Sequence, residues 1–447
     1  MENHNNSMVE KYVAAIDVGT AKIVTLIGKR NGNNRLEVVG FSRSDSKGIR
    51  RGEVLNQEQA ALVVKKTVDD LQRKTSVRIG EVFVGVVGQH IRIQKNRANI
   101  IRNCSDQCIT SSDVDRLKTD VGNITLKQGE EILHIIPLDF YVDGEIENTV
   151  QNPIGMLGKK LDGNFNIVVG NIDSLQKIRK CIQQAELVTK DIILEPLASA
   201  DAVLYDVERE TGVALVDIGG GTTDVAVFYD NVLRHSAVIP CGGNIITSDI
   251  KTACGLTEQI AEEVKVQYGT ALSEQADEQK VVVIPPSVPG RQPKEITFAR
   301  LSSIIQARME EIIDAVLFHI ENSGCGDKLG SGIVVTGGGA LLKHLIPLLQ
   351  FKTGKEVRIG YPDAHLAGNI DPFNDPSYAT GIGLLMKGFE YMDEKGWEAS
   401  VLPPVTQTEQ PVPETPGVSP ELNFPQKIYK RLKDTLEIYF KEPDAQM

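Results

Sequence analysis

Three glycine-bearing turns carry the residues best suited to chemistry: Asp17 to Lys22, Asp217 to Asp224, and Thr336 to Ala340. Phosphate oxygens need several donors at close range, and backbone N–H groups approach them only where side chains are missing. The run Gly219-Gly220-Gly221-Thr222-Thr223 offers such a nest of amides, and Gly19, Thr20 and Lys22 follow Asp17 in the first turn. Asp17 and Asp217 stand at strand ends, where their carboxylates could hold a hydrated Mg²⁺ against phosphates, since magnesium keeps several of its waters. The third turn, Gly337-Gly338-Gly339, leads into an apolar stretch read as a helix, whose N-terminus favours an anion or a polar ligand edge. One glycine hairpin alone is an ordinary tight turn. Two Asp-x-Gly hairpins followed by strand, GGG and helix form a pattern. It is neither a P-loop, since no GxxxxGK[ST] occurs, nor a GxGxxG dinucleotide fingerprint.

The elements that must position these turns can be read around them. Residues 12–28 form two short strands about the first turn, and VALVDIGGGTTDVAVF (213–228) repeats the arrangement, with Asp217 and Gly219 standing where Asp17 and Gly19 stood. A hairpin repeated half a chain apart marks a duplicated domain. Between the copies the periodicity predicts a helix over 57–74, with Ala60, Leu62, Val63, Val64, Val68 and Leu71 on its buried face. Further helices are predicted over 174–188, over 196–208 opening on Pro196 in the first turn, over 297–321 and over 378–392. Residues 332–350 read strand, glycine turn, helix.

At 447 residues the chain exceeds one compact core and calls for two or more domains. Its 41% apolar and 24% charged content is that of an ordinary globular protein. A net charge of −12 argues against a nucleic-acid partner, because a duplex binder needs a broad basic face. The six cysteines include no CxxC pair, and reduced, unpaired thiols are the simple reading. No apolar run reaches 18 residues and the N-terminal stretch carries no secretory signal, so a cytoplasmic chain with no membrane span is expected.

The order of these motifs resembles the actin, hexokinase and heat-shock ATPase superfamily, and within it the FtsA family of bacterial cell-division proteins. AIDVGTAKI (15–23) and LVDIGGGTTDVAVF (215–228) match the phosphate motifs, and IVVTGGGALL (333–342) matches the adenosine motif. LEPLASADAVL (194–204) and YATGIGLLM (378–386) match the two connecting helices. AEEVKVQYG (261–269) is similar to the stretch whose Glu and Lys reach the adenosine, which nominates Glu262 and Lys265. The resemblance implies ATP with Mg²⁺ as cofactors, and Glu195 near the water that would attack the terminal phosphate; the same residue could instead be a helix-terminal carboxylate favoured by the dipole. EVFVGVVGQHIRI (81–93) and the stretch from IPLDFYVDG to NPIGMLGKKL (136–161) resemble the subdomain that this family inserts into its first half.

The fold class expected is therefore α/β: two related actin-like domains with a nucleotide cleft between them. The boundaries expected are an N-terminal stretch 1–11, a first domain over 12–81 and 163–210, the insert over 82–162, and a second domain over 211–396 with a smaller lobe about 257–330. A Pro-rich linker follows over 397–423, then an amphipathic segment and tail over 424–447. The function implied is an adaptor that polymerises with itself, joins the C-terminal peptide of FtsZ to the inner membrane at the division site, and recruits other division proteins through its insert. Lys294, Arg300 and Arg308 match the family's basic docking positions for FtsZ, although the family often has Arg where Lys294 stands. Projected at 100° per residue, Phe424, Ile428, Tyr429, Leu432, Leu436, Tyr439 and Phe440 form one apolar face, with Lys427, Lys430, Lys433, Glu437 and Lys441 opposite and Asp434 among them; the rival reading docks this helix on the protein's own core. Such a helix lies in the plane of a membrane interface and binds lipid without spanning the bilayer. The alternatives are an acceptor-specific kinase of the same superfamily, for which no acceptor base is evident, and a pilus-assembly relative, which usually lacks this tail.

Overall fold

The computed structural model describes residues 11–102, 107–144, 149–286, 290 and 292–396. The expected linker over 397–423 and the amphipathic segment with Phe424, Ile428, Leu432, Leu436, Tyr439 and Phe440 lie outside the described residues.

The chain opens with strands β1 (Tyr12–Val18), β2 (Lys22–Arg30) and β3 (Leu36–Asp45), an antiparallel meander of apolar, β-branched stretches, then a short hairpin, β4 (Ile49–Arg50) and β5 (Glu53–Val54). Helix α1 (Gln57–Thr75) starts where the Asn56 side chain accepts a hydrogen bond from the Gln59 N–H. Its buried stripe is Ala60, Ala61, Val64, Thr67, Val68 and Leu71, the i, i+4, i+8, i+11 row and its flank. Leu62, expected inside, is 69% exposed because it sits about 200° round the helix from Ala60. Strand β6 (Glu81–Val86) then enters the first sheet parallel to β1.

The insert follows: β7 (Ile91–Ile101), α2 (Ser111–Gly122), β8 (Glu130–Val142) and β9 (Lys160–Asn171). Central β9 pairs antiparallel with both neighbours, and α2 packs on this sheet through Val114, Leu117 and Val121. Pro137 sits on the edge strand β8, the place in a sheet that tolerates a missing donor. The insert thus begins after β6 and ends with β9, later at both ends than the expected 82–162; residues 82–86 are buried in the first sheet, and Phe165 to Gly170 pair within the insert.

Helix α3 (Ile172–Gln184) and strand β10 (Val188–Leu194) complete the first unit, and α4 (Glu195–Val203) leads out of it. The single helix expected over 196–208 is two. Leu204 is extended, and α5 (Asp206–Thr211) restarts with the Glu208 carboxylate accepting from the Tyr205 N–H at 2.9 Å.

The second half repeats the plan. Strands β11 (Val213–Ile218), β12 (Thr223–Tyr229) and β13 (Val232–Ile239) form a meander, followed by α6 (Gly243–Cys254), α7 (Glu258–Tyr268), the hairpin β14 (Val281–Ile284) and β15 (Lys294–Thr297), and α8 (Phe298–Asn322). Then come β16 (Ile333–Thr336), α9 (Leu345–Thr353) and β17 (Val357–Ile359). With a last short strand, β18 (Leu366–Ala367), the sheet orders are β10-β6-β1-β2-β3-β18 and β13-β12-β11-β16-β17. In each, a three-stranded meander begins on a strand whose other neighbour is parallel to it. The duplication read from the hairpins is therefore a duplication of topology.

The second domain does not run unbroken to 396. Strand β18 (Leu366–Ala367) pairs with β3, and α10 (Ala379–Lys395) packs against β1, β2 and β6, so both return to the first half. One apolar core, with Ala198, Ala202, Leu215, Val334, Ile382 and Leu385, joins the two halves. The crossing is tight at Gly383, where a Cβ would lie 1.8 Å from the Ala198 carbonyl oxygen. Only glycine permits that approach.

Candidate functional site

Strands β1 and β11 end side by side on a cavity of about 390 Å³ between the halves. The β1–β2 turn brings Asp17, Gly19, Thr20 and Lys22 to it. The β11–β12 turn, closed by the Gly219 N–H to the Thr222 carbonyl at 2.9 Å, brings Asp217, Gly219, Gly220, Gly221 and Thr222. Gly337, Gly338 and Gly339 form the third wall. Gly337 has a φ of +79°, and a Cβ there would stand 2.2 Å from the Asp217 Oδ1. The expected helix does not follow this turn at once: residues Gly338–Leu341 make a 3₁₀ turn, and α9 starts at Leu345.

Glu262 and Lys265, on α7, meet at the rim with the ammonium 2.7 Å from the Glu262 carboxylate. Lys265 also donates to the Gly243 carbonyl at 3.0 Å and the Thr247 hydroxyl at 2.8 Å. Glu195, the first residue of α4, lies on the inner wall with its carboxylate over Gly85. Thr223 is the one nucleotide-site expectation that points elsewhere. It is fully buried and donates its hydroxyl hydrogen to the Cys241 carbonyl at 2.8 Å.

Four carboxyl groups, Asp17, Asp217, Asp224 and Glu195, face one another here, and all are buried. Burial lifts Asp17 to about 6, with Lys22 opposing the rise and Asp217 adding to it. Burial, reinforced by the neighbouring carboxylates, pushes Glu195 and Asp224 well above the usual range. Asp217 is raised by burial against the donors that favour its charge, the Ser199 hydroxyl at 2.8 Å and the Thr380 hydroxyl at 3.3 Å. Lys22 is itself lowered by burial and donates to the Ser377 carbonyl at 2.6 Å. The inner wall thus gathers four carboxyl groups around this one lysine. Asp224 Oδ1 is buried and has no hydrogen-bond partner. Among the described residues no three His, Cys, Asp or Glu side chains converge closely enough to ligate a metal directly. Carboxyl groups of this kind suit a divalent cation that keeps part of its water shell.

Sequence reading missed five contributors. Asp224 pairs in register with Asp217 across the hairpin, and the alternation Thr222, Asp224 could have placed it on the same face as the cavity. Ser199 and Thr380 were hidden in small-residue helix starts. Gly243 and Asn244 open α6 against the phosphate-type turn, with their N–H groups donating to the Gly219 and Gly220 carbonyls at 2.9 and 2.8 Å. The double glycine Gly242-Gly243 before a helix was the available signal.

The three basic docking candidates lie along the C-terminal half of α6. Lys294 donates to the Cys254 carbonyl at 3.2 Å and Arg300 to the Ala253 carbonyl at 2.9 Å, so both cap the helix C-terminus. Arg308 grips Asp249 of the same helix at 2.6 and 3.2 Å. Among the described residues no helix is long and apolar enough to cross a membrane.

Residues 214–383 match the family model "Cell division protein FtsA", and residues 88–169 match "SHS2 domain inserted in FTSA", which coincides with the three-stranded insert. The cell division protein FtsA of Pseudomonas aeruginosa is 35% identical over 380 residues, covering 85% of this chain and 90% of the relative. The chain belongs to the FtsA family. It is a cell-division protein with an actin-like fold, and FtsA of Escherichia coli K12 (31% identical, 85% and 91% covered) and of Bacillus subtilis (32%, 84% and 83%) are further relatives. Among solved structures it is similar to the PilM-PilN type IV pilus biogenesis complex (TM-score 0.60, 14% identical, 84% and 98% covered). MreB5 of Spiroplasma citri bound to ADP gives a TM-score of 0.52 at 16% identity, with 86% and 98% covered. These two likenesses speak for the fold alone. Nucleotide binding follows from the family's actin-like fold.

Proposed function

We propose that the cleft binds ATP with Mg²⁺ and that the protein uses it to set its conformation for assembly on the membrane. The buried carboxylate cluster flanked by two glycine turns, one from each half, carries this reading. The turn amides would take the phosphates, Asp17 and Asp217 would hold the hydrated cation, and the cation would supply the charge that the four carboxyl groups lack. Each half contributes one turn, so a bridging ligand favours the closed arrangement of the halves. Glu262 and Lys265 stand where the adenosine would be met.

In the same reading Lys294, Arg300 and Arg308 dock the C-terminal peptide of FtsZ, an acidic and apolar partner for a basic ridge. The family resemblance supports this, together with the placement of the three side chains along the C-terminal half of α6. The insert would recruit later division proteins, the chain would assemble with itself, and the segment 424–440 would lie on the cytoplasmic face of the inner membrane. One such helix holds reversibly, and a filament of many copies strengthens attachment through multivalency. The test is co-sedimentation with anionic liposomes in ATP and Mg²⁺. The protein is expected to pellet with the vesicles and to bring added FtsZ down with it. Soluble FtsZ beside pelleted protein would count against the adaptor role.

A further inference from the structure

Strand β8 of the insert touches both halves of the molecule, and it does so at its two irregularities. Its pairing with β9 shifts register between Ile132 and His134 and again between Pro137 and Asp139. Bulges of this kind re-aim the side chains beside them. Past the first, Leu133 packs into the core of the first sheet, and His134 Nε2 accepts the Leu194 N–H at 3.1 Å. Past the second, Asp139 accepts from the Arg234 guanidinium on β13, in the second half, at 3.2 and 3.3 Å. Alongside, the fully buried Asn166 donates to the Leu233 carbonyl at 2.7 Å.

Leu194 matters because it is the N-cap of α4 and no side chain caps that helix. The next residue is Glu195, on the inner wall of the cavity. Among the described residues, the side-chain hydrogen bond that another element gives to this helix start comes from an imidazole of the insert. That ring must carry its proton on Nδ1 to accept through Nε2. Burial, with the Lys387 ammonium adding to it, pushes His134 down to about 4, so the ring is neutral near pH 7 and able to accept.

We propose that His134 is a positioning residue for Glu195: by holding the Leu194 amide it fixes the start of α4, and with it the carboxylate that faces the charged end of a nucleoside triphosphate. The insert is then coupled to the nucleotide site through one hydrogen bond, and to the second half through Asp139 and Asn166. This rests on the reading that the cleft takes ATP. It assigns a residue in the insert to a task at the phosphate end of the cleft, where ATP and ADP differ.

The test uses the full chain and compares the affinities of fluorescent ATP and ADP analogues in Mg²⁺. His134→Leu, which removes the acceptor, is expected to weaken ATP roughly tenfold while changing ADP by less than about twofold. His134→Gln places an amide oxygen about as far from the backbone as Nε2 and should keep the ATP preference. His134→Asn stays polar but falls short of the Leu194 N–H, so it should lose the preference as His134→Leu does, and it serves if the leucine variant fails to fold. An unchanged ATP:ADP ratio in His134→Leu or His134→Asn overturns the inference, as does an equal loss in His134→Gln. A wild-type chain that binds neither nucleotide overturns the ATP reading and this inference with it. Nucleotide binding with an unchanged ratio overturns the inference alone.

Discussion

Asp17→Asn should make the nucleotide-free protein more stable while weakening its response to Mg²⁺ and ATP. The side chain is buried, and its carboxyl rises from 3.8 to about 6 in the folded chain. A folded-state pKa above the unfolded one means that the folded form gives up this proton less readily. Its stability is penalised increasingly as pH rises from about 4 to about 6 and by the full amount above that. For this shift the penalty at neutral pH is at most about 3 kcal/mol, at 1.36 kcal/mol per pH unit. Asparagine keeps the volume and removes the charge, although Lys22 loses an opposing partner, so the realised gain falls below that bound. At pH 4 most of the gain should be gone, and it vanishes well below 3.8, where Asp17 is protonated in both states. With ligand the gap narrows. Mg²⁺-ATP at a hundred times its Kd stabilises the wild type by about 2.7 kcal/mol, and a tenfold loss of affinity removes about half of that. Thermal melts at pH 7.5 and pH 4, with and without Mg²⁺-ATP, read all four corners. An apo Asp17→Asn protein that melts below wild type at pH 7.5, or that keeps the full ligand shift, would refute the account of a charge-frustrated site awaiting a cation.

Three further perturbations probe other parts of the molecule. Arg308→Glu should weaken binding of an FtsZ tail peptide, more so at low salt, and Arg308→Ala separates loss of the Asp249 pair from charge reversal; peptide titrations by fluorescence anisotropy decide it. Removing residues 424–447, or changing Leu432 and Leu436 together to Glu, should abolish liposome co-sedimentation while ATP binding persists. Gly383→Ala forces a Cβ to within 1.8 Å of the Ala198 oxygen, so it should cost about 1–3 kcal/mol or more in chemical denaturation, with the helices displaced.

The turns were legible because phosphate-type geometry demands a particular chemistry locally: Asp at a strand end, then glycine. Nearly all of the nominated nucleotide residues line the cavity for that reason. Thr223 was misplaced because adjacent strand residues face opposite ways, and Thr222 already took the cavity side. Domain boundaries were less legible. Apolar strands such as β6 and β9 read alike whether they serve the main sheet or the insert, and only pairing partners tell them apart. The return of α10 to the first half left no local mark. Its small-residue start shows close packing, not against what. Ser199 and Thr380 escaped for the same reason, since a hydroxyl in a helix gains meaning only when a distant carboxylate comes to meet it.

The return of α10 has a mechanical consequence. The chain passes between its halves twice, once through α4 and once on the way back to α10, so the halves can swing about each other but cannot separate or turn freely. The two crossing helices touch at the Gly383–Ala198 contact, which serves as the pin of a hinge. Beside that pin, Ser199, next to Ala198, and Thr380, one turn before Gly383, stand 2.9 Å apart and both donate to Asp217. Any swing that slides the helices past each other must lengthen one of those bonds. Asp217 is thus a strain gauge mounted on the axle, and a cation that fixed its carboxylate would also set the angle at which the molecule is held open.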